Sequence, residues 1–406
     1  MTSRKRGWRG GCGLAAVAFC SVMARAQSER PTIQPLRTAP TERLVVNPGF
    51  RDWGPTSVGG TTILGGNQTG GGGLFAVDTL TGRVKWTFRP VFKSGTASVS
   101  TAPALSDGIV ITPFAAANPG AVVGVSLATG KEVWRGPDPA RGAAVAVSAG
   151  LAYILGKDGN FYALESSTGR ERWKAAFTTN RAVCASQPIV RDDTIYLTGS
   201  ADASPGDAAK PAGYYLFALD ANTGVERWRY RAEAPYVGAG VCLRQPVVTG
   251  NAVFAAGDNF LYGVNRATGR DLWKPVEIRR SVEGTVRAVE LHGLVDGGSV
   301  LVGMTSGFLI GFDMASGRTA WEVAGQYDES RPSTAVAGQV LYFQGDPGSK
   351  PSDGQRSTLR ALDLDTRALL WSYSRQTGEP NWRFGHVTPV DGGLWVDSYQ
   401  ALVKLQ

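Results

Sequence analysis

The sequence has 406 residues, a formal net charge of +8, 53 glycines and only two histidines, His292 and His386. No segment shows the 3.6-residue apolar period of a long helix, and the abundance of Gly, Thr and Val is typical of an all-β fold. The sequence contains no Ser-His-Asp order, no metal-ligand cluster and no phosphate-binding loop, which disfavours the common hydrolase, metalloenzyme and nucleotide-binding classes.

The chain begins with a predicted secretory signal peptide over residues 1–26. Basic residues at positions 4–9 precede an apolar run, and Ala24-Arg25-Ala26 forms a small-residue cleavage site. The run is too short to span a membrane well, so we expect an exported, periplasmic or secreted protein with no transmembrane segment after cleavage. Cys20 is a candidate for a lipid anchor, but the bulky Phe19 precedes it, so cleavage without an anchor is favoured.

Cleavage changes the charge of the mature protein. It removes five basic residues and no acidic ones, so the net charge falls from +8 to about +3. That excess is too small to predict nucleic-acid binding. Residues 27–41, with Pro31, Pro35 and Pro40, are predicted to form an extended Pro-rich linker. Residues 42–406 are predicted to form one repeat domain.

One pattern recurs seven times in that domain, and its clearest copy runs from Leu216 to Trp228. An apolar strand ends in Asp, Thr-Gly follows, and a Trp lies on the next strand. Asp accepts backbone hydrogen bonds and Gly adopts positive φ, so the pattern predicts a turn between two strands. The Trp is expected to pack between one unit and the next. The motif residues are Asp78, Trp86, Trp134, Trp173, Asp220, Trp228, Trp273, Asp313, Trp321, Asp363 and Trp371.

Each copy is predicted to be one four-stranded antiparallel blade of a β-propeller, since each Trp is followed by further short strands before the next copy. After Trp371 three strands remain, and Glu42–Asn47 is a strand without partners of its own. We therefore predict an eight-bladed propeller in which this N-terminal strand completes the last blade. A seven-bladed ring with a leftover sheet, or a β-solenoid, is the alternative.

The Ala-x-Asp-x-x-Thr-Gly-x-x-x-Trp pattern resembles the repeat of the pyrroloquinoline-quinone-type (PQQ-like) β-propellers across residues 42–406. The size and layout are similar to the β-barrel-assembly lipoproteins of the Gram-negative outer membrane rather than to the longer quinoprotein dehydrogenases. The resemblance implies a fold, because the motif joins blades and does not itself bind quinone. The copies differ at single positions: Ser126, Glu165 and Asn265 replace Asp, Ser316 replaces Thr, and Arg367 replaces Gly, where a less favourable turn is expected.

Insertions between the second and third strands, at 115–120, 201–213 and 345–357, are predicted to share one face with the loops that follow each Trp strand. Binding is expected on this face, around the central channel. Its candidate ligand-binding residues are Arg181, Arg244, Arg279, Arg280, Glu283, Arg331, Trp382, Arg383 and His386. Convergent guanidinium groups favour carboxylates, phosphates or acidic peptides. Solvated loop charges would show the same pattern.

Cys184 and Cys242 occupy equivalent positions on neighbouring blades. In an oxidising compartment they could form a disulfide, which requires Cα atoms within about 7 Å of each other. Two free thiols are the alternative. The sequence has no Cys-x-x-Cys-His haem attachment site.

Two functions from different classes follow from this pattern. The favoured one is a monomeric, non-catalytic propeller without a cofactor or metal, which binds a protein or an anionic small molecule or peptide, for example as a scaffold in outer-membrane protein assembly. The alternative is a dehydrogenase dependent on PQQ and Ca²⁺. That enzyme needs several oxygen ligands for the metal, and Glu283 stands nearly alone among the candidate residues.

Overall fold

The computed structural model describes residues 33–46, 51–58, 60–68, 71–92, 97–99, 101–115, 119–139, 143–177, 186–203, 211–232, 243, 245–257, 259–282, 285–291, 293–305, 308–324, 334–345, 358–374, 384–390, 393–398 and 402–406. These ranges contain 35 β-strands. Within them, we find no helix with the length and hydropathy needed to cross a membrane. The predicted signal peptide lies outside the described residues.

The strands form the eight antiparallel blades of a propeller ring, as predicted. Blade 1 comprises β2 (Arg51–Val58), β3 (Thr61–Gln68), β4 (Gly71–Asp78) and β5 (Val84–Phe88). Blade 2 comprises β6 (Ser98–Val99), β7 (Ala104–Ser106), β8 (Ile109–Ala115), β9 (Ala121–Ser126) and β10 (Glu132–Arg135), where β6 and β7 share the innermost position. Blade 3 comprises β11 (Ala146–Ser148), β12 (Leu151–Leu155), β13 (Asn160–Glu165) and β14 (Glu171–Ala176). Blade 4 comprises β15 (Ile189–Arg191), β16 (Thr194–Ala203), β17 (Pro211–Asp220) and β18 (Glu226–Ala232).

The second half of the ring repeats this order and adds one hairpin. Blade 5 comprises β19 (Val247–Val248), β20 (Ala252–Gly257), β21 (Phe260–Asn265) and β22 (Val276–Glu277). A separate hairpin follows, made of β23 (Arg279–Val282) and β24 (Thr285–Ala288). Blade 6 comprises β25 (Gly293–Asp296), β26 (Val300–Thr305), β27 (Phe308–Asp313) and β28 (Thr319–Ala324). Blade 7 comprises β29 (Thr334–Ala337), β30 (Val340–Gly345), β31 (Thr358–Asp363) and β32 (Leu369–Tyr373).

Blade 8 is built from both ends of the described chain. It comprises β33 (Phe384–Val390), β34 (Gly393–Ser398), β35 (Leu402–Leu405) and, as its outermost strand, β1 (Glu42–Val46). The pair begins with two backbone hydrogen bonds between Thr41 and Gln406, at 2.8 and 3.1 Å. The predicted closure by the N-terminal strand is therefore confirmed, and the seven-bladed alternative is excluded.

The hydrophobic core lies between blades rather than within one central body. Each of the eight junctions between neighbouring blades holds its own cluster of buried apolar side chains. The first strands of several neighbouring blades also contact one another around the axis. Burial between faces of successive blades is what makes the ring one cooperative unit.

The motif Trp explains why two positions of the repeat must be small. Within its own blade, the Trp pairs with Ala or Gly on the neighbouring strand, as in Ala218 opposite Trp228 and Gly311 opposite Trp321. Across the junction, the indole lies against the turn glycine of the next blade. A Cβ at Gly224 would lie 2.6 Å from the Trp173 ring, and Gly224 also has a φ of +73°. The turn glycine is therefore required by packing as well as by backbone conformation.

The motif carboxylate organises the turn as predicted. Oδ1 of Asp220 accepts hydrogen bonds from the backbone N–H of Asn222 at 2.9 Å and of Thr223 at 3.0 Å, and from the Thr223 hydroxyl at 3.1 Å. Equivalent bonds form around Asp78, Asn265, Asp313 and Asp363. In the divergent last copy, Arg367 adopts a φ of 63°, which confirms the strained turn expected there.

The indole N–H groups fasten consecutive blades. Each bonds to the backbone carbonyl that follows the motif Asp position of the next blade, at 2.8–3.2 Å: Trp86 to Leu127, Trp134 to Ser166, Trp173 to Ala221, Trp228 to Arg266 and Trp273 to Met314. A buried donor without an acceptor would be costly, so packing and hydrogen bonding specify the same arrangement.

Residues 33–41, which the sequence analysis assigned to a linker, lie against blade 7. The Trp371 indole N–H donates to the carbonyl of Leu36 at 3.0 Å, and the Leu36 N–H donates to the Tyr342 hydroxyl at 2.6 Å. Arg37 forms an ion pair with Asp363, whose side chain is 5% exposed. Ile33 and Leu36 pack on the apolar cluster between blades 7 and 8. We call residues 33–41 the N-terminal strap.

Candidate functional site

The two faces of the ring differ in how the strands are connected. The hairpin turns between first and second strands and the motif turns between third and fourth strands emerge together, and we call this side the turn face. The connections between second and third strands and between blades emerge on the opposite side, which we call the loop face. The described additions to the repeat, the hairpin β23–β24 and the long hairpin of blade 4, are both on the loop face.

Among the described strands, those of blade 4 extend furthest on the loop face. β16 and β17 have 10 residues each, and their pairing continues beyond Thr198 to Ala203 opposite Pro211. Part of the predicted insertion at 201–213 is therefore an extension of the blade itself. Residues 116–118 of the predicted insertion at 115–120 and residues 346–357 of that at 345–357 lie outside the described residues.

Arg279 and Arg280 lie on the hairpin β23–β24 and have separate partners. Nε of Arg279 is 2.7 Å from Oε2 of Glu277, on the outer strand of blade 5. Nη2 of Arg280 is 2.8 Å from Oε2 of Glu322, on the outer strand of blade 6. The Arg280 guanidinium also lies over the Phe308 ring, 3.1 Å from its centroid, and its Nη1 is buried without a hydrogen-bond partner. These contacts join the hairpin to the outer parts of two blades.

Of the other predicted site residues, only His386 lies within the described ranges. His386 is exposed on β33, the first strand of blade 8. The remaining candidates lie outside the described residues, and the cysteine pair stays a prediction for the same reason: Arg181, Arg244, Glu283, Arg331, Trp382, Arg383, Cys184 and Cys242. Within the described ranges, no group of three or more His, Cys, Asp or Glu residues could hold a metal ion.

A row of cations that was not predicted lies on the loop-face half of the outer strands. Arg135, Lys174 and Arg229 each follow the motif Trp directly, in blades 2, 3 and 4. Their charged groups lie 4.9 Å from the Phe92 ring centroid, 5.2 Å from that of Tyr162 and 5.5 Å from that of Phe217, respectively. A basic residue repeated directly after Trp was the signal in the sequence, and cation–π contact is its physical meaning.

Each of these cations also has a carboxylate partner. Arg135 forms two hydrogen bonds to Glu132, at 2.9 and 2.8 Å, and Arg229 forms two to Glu226, at 2.7 and 2.6 Å. The hydrogen bond from Arg135 to Glu132 raises the pKa of the guanidinium. In blades 2, 3 and 4 these cations therefore form paired-charge surfaces, which suit a polar protein partner better than a single strong anion site.

Blade 3 carries a polar group centred on Asp158 at the loop face. Oδ2 of Asp158 accepts hydrogen bonds from the Tyr162 hydroxyl and the Asn160 amide, both at 2.6 Å, and lies 3.4 Å from Nζ of Lys174. Burial alone would raise the pKa of Asp158, but these hydrogen bonds lower it to about 2. Burial and the Asp158 contact raise the pKa of Tyr162. Asp158 is thus charged and Tyr162 neutral near pH 7, which makes the group a positioning network rather than an acid–base pair.

Comparison with known proteins places this geometry in a family. The family model described as outer membrane protein assembly factor BamB matches residues 37–141 and 118–383. The solved structure of BamB from Moraxella catarrhalis is similar, with a TM-score of 0.63 and 15% identity, over 91% of this chain and 100% of that one. At 15% identity, this similarity shows a shared fold.

Curated relatives match shorter stretches. The serine/threonine-protein kinase AfsK of Streptomyces griseus is 26% identical over 185 residues, which are 44% of this chain and 22% of the kinase. The quinohemoprotein alcohol dehydrogenase ADH-IIG of Pseudomonas putida is 30% identical over 159 residues, which are 37% of this chain and 20% of the dehydrogenase. This chain thus spans about a fifth of the length of these two relatives.

Proposed function

The chain belongs to the family of the outer membrane protein assembly factor BamB, and from this premise we propose that it is an exported, non-catalytic scaffold that binds a protein partner through its loop face. Outer-membrane protein assembly is the process in which we place it. The observation that carries the proposal is the difference between the faces: the turn face repeats one motif and is covered at blade 7 by the N-terminal strap, whereas both described additions inside the repeats, the hairpin β23–β24 and the long hairpin of blade 4, are on the loop face.

The chemistry of the loop face supports a protein partner. Paired charges at Arg135 and Arg229 lie over aromatic rings, and Arg135 donates to the carbonyl of the exposed Val91, so the surface offers polar and apolar contacts together. Arg and aromatic residues are enriched at protein interfaces and supply most of their hot spots. The long hairpin of blade 4 adds a projection that a partner can surround.

Two exposed side chains of blade 1 give a matched test. Val91 is 85% exposed at the loop-face end of the outer strand, and Leu80 is 81% exposed in the motif turn at the other end. A photo-crosslinking residue at position 91 should attach the protein to a component of the outer-membrane assembly machinery in cells, and the same residue at position 80 should not. Crosslinks from position 80 alone, or no assembly component from either position, would overturn the proposal.

A quinone-dependent dehydrogenase is the second candidate, favoured by the partial match to the quinohemoprotein alcohol dehydrogenase. Such an enzyme would need the PQQ-facing arginines and oxygen ligands among the candidate residues that lie outside the described ranges. The test is to mix purified protein with PQQ and Ca²⁺ and to measure quinone absorbance on the protein and dye reduction with alcohols. Bound quinone with turnover would replace the scaffold proposal.

A further inference from the structure

Two neighbouring clefts on the turn face are equivalent in position but differ in volume. The 3/4 cleft, between blades 3 and 4, is a cavity of about 460 Å³. The 4/5 cleft, between blades 4 and 5, is about 220 Å³. The strand registers align them residue by residue, because Leu151 pairs with Glu165 in blade 3 as Thr194 pairs with Asp220 in blade 4. The difference in volume therefore comes from side chains at equivalent positions.

Contacts of three arginines close the 4/5 cleft. Arg266 is 2.6 Å from Asp192 across the cleft. Arg227 donates to Asp220 at 2.6 Å and to the Thr194 hydroxyl at 2.7 Å. Arg191 donates to the carbonyl of Val248 at 2.9 Å. All the guanidinium groups that border this cleft are thus occupied by the protein itself.

The 3/4 cleft lacks each of these contacts. Ala221 and Ala149 stand where the Arg266–Asp192 pair stands in the next cleft, and Ser148 stands in place of Arg191. Arg172 is the counterpart of Arg227, but Leu151 replaces the threonine that would accept its hydrogen bond, and Glu165 is bonded to Arg170 instead. Arg172 forms no hydrogen bond with another residue that the structure describes, although its charge contributes to the lowered pKa of Glu165.

The open cleft has a charge gradient along its length. Arg172 is on the outer strand of blade 3, at the peripheral end. Asp193 is on the inner hairpin turn of blade 4, at the axial end, and its carboxylate has no hydrogen-bonding or ionic partner among the described side chains. Tyr153, which is 2% exposed, also lines the cleft, and burial, followed by the charges of Asp193 and Asp220, raises its pKa to about 12. The tyrosine is therefore neutral and the axial end is negative.

We propose that the 3/4 cleft binds a small zwitterion of the amino-acid type, with its carboxylate on Arg172 and its ammonium group on Asp193 beside the Tyr153 hydroxyl. The guanidinium fork matches a carboxylate, and an ammonium group suits a carboxylate together with a hydroxyl acceptor. The volume is within the range of small-molecule sites. A free amino acid and a short peptide share this chemistry. The site is on the face opposite to the proposed partner surface, so it does not depend on the scaffold function.

The test measures binding of L-alanine and of L-alanyl-L-alanine to the purified protein by ligand-observed NMR, with acetate and ethylammonium as single-charge probes. We expect one zwitterion to bind at least about tenfold more tightly than either single-charge probe, because each end forms a charge-assisted hydrogen bond. The tighter of the two zwitterions identifies the source. Failure of both zwitterions to bind, or equal binding of acetate, would overturn the proposal.

Matched variants locate the site. R172L installs the residue found at this position in blade 5, Leu272, and should weaken binding by about tenfold or more. R227L makes the same change in the 4/5 cleft and should leave binding within about twofold. The double variant A149D/A221R copies the Asp192–Arg266 pair into the open cleft and should abolish binding, with the thermal midpoint measured as the control for folding because Ala221 is 2% exposed. Equal losses in R172L and R227L, or unchanged binding in the double variant, would contradict the assignment.

Discussion

The junctions between blades fall into two kinds, and the difference shows how the ring closes. From blade 1 to blade 6, each described indole hydrogen bond runs from the motif Trp to a carbonyl in the motif turn of the next blade. In blade 8 no motif turn connects the third and outer strands, because these strands, β35 and β1, are not consecutive in the chain. At the 7/8 junction, Leu36 of the N-terminal strap supplies the missing carbonyl to Trp371.

The 8/1 junction solves the same problem with a different side chain. The outer strand of blade 8 carries no Trp, and the fully buried Trp395 of the second strand packs there with Leu64, Phe75 and Leu402 instead. Its indole Nε1 is buried with no hydrogen-bond partner. A regular junction thus satisfies both packing and hydrogen bonding, whereas this junction keeps the packing and leaves a donor unsatisfied.

The largest expected effect tests whether the strap stabilises its junction as much as a motif turn stabilises a regular one. W173A at a regular junction should lower the free energy of unfolding by about 3–5 kcal/mol, because a large indole leaves a cavity and an unpaired carbonyl. W371A at the 7/8 junction should cost a similar amount. Denaturant titration of both variants checks this. A much smaller loss for W371A would show that the strap only covers the junction.

The turn glycine and its one exception should respond in opposite directions. G224A places a Cβ 2.6 Å from the Trp173 ring at a positive φ, so we expect a loss of about 2–4 kcal/mol. Arg367 has a φ of 63° at the equivalent position in the motif turn of blade 7. R367G relieves this strain, so we expect the free energy of unfolding to rise by about 1 kcal/mol. Thermal and denaturant midpoints measure both changes. If R367G destabilises the protein, the Arg367 side chain contributes more than its backbone costs.

The sequence was sufficient for the regular part of the molecule. The period and the alternating strands predicted the blades, and the unpaired strand at residue 42 predicted the closure, because these features are local and repeated. It was insufficient for the strap, since Leu36 contacts Trp371 and Tyr342, more than 300 residues away, and a Pro-rich segment has no period to show this. The role of the turn glycine in holding the indole was also a tertiary effect.

The candidate site was less predictable than the fold for the same reason. The sequence analysis named Arg280 as a ligand-binding candidate, which stays a prediction, and it could not foresee the contacts with Phe308 and Glu322, because these residues lie on a neighbouring blade. The cations after the motif Trp were visible as a repeated position, and only the structure shows the rings below them. The difference between the 3/4 and 4/5 clefts depends on which of several arginines finds a partner, which a single copy of the repeat cannot reveal.

Removal of the strap should have an intermediate effect. A mature protein that begins at Thr41 keeps β1 but leaves the Trp371 indole N–H without its acceptor, which costs about 1–3 kcal/mol. L36A retains the backbone carbonyl and should lose less. Comparing the two by denaturant titration separates the hydrogen bond from the apolar contact. Equal stability of the truncated and full mature proteins would show that water serves the indole equally well.

The smallest effect concerns the motif carboxylates and acid. The hydrogen bond from Arg227 is the main reason that the pKa of Asp220 is lowered, and the backbone N–H of Thr366 is the main reason for Asp363, with Arg37 of the strap contributing further. A lowered pKa stabilises the folded state above the unfolded value near 3.9, and that stability is lost as the pH falls through the folded value.

D220N and D363N, which copy the Asn265 turn, should therefore cost about 1 kcal/mol or less at neutral pH and flatten the loss of stability below about pH 4. R37A should leave the pH dependence of stability that Asp220 contributes unchanged. It should reduce the contribution of Asp363 only in part, because the Thr366 N–H remains. If R37A removes all of the acid dependence that D363N removes, the strap rather than the turn sets the charge state of this junction.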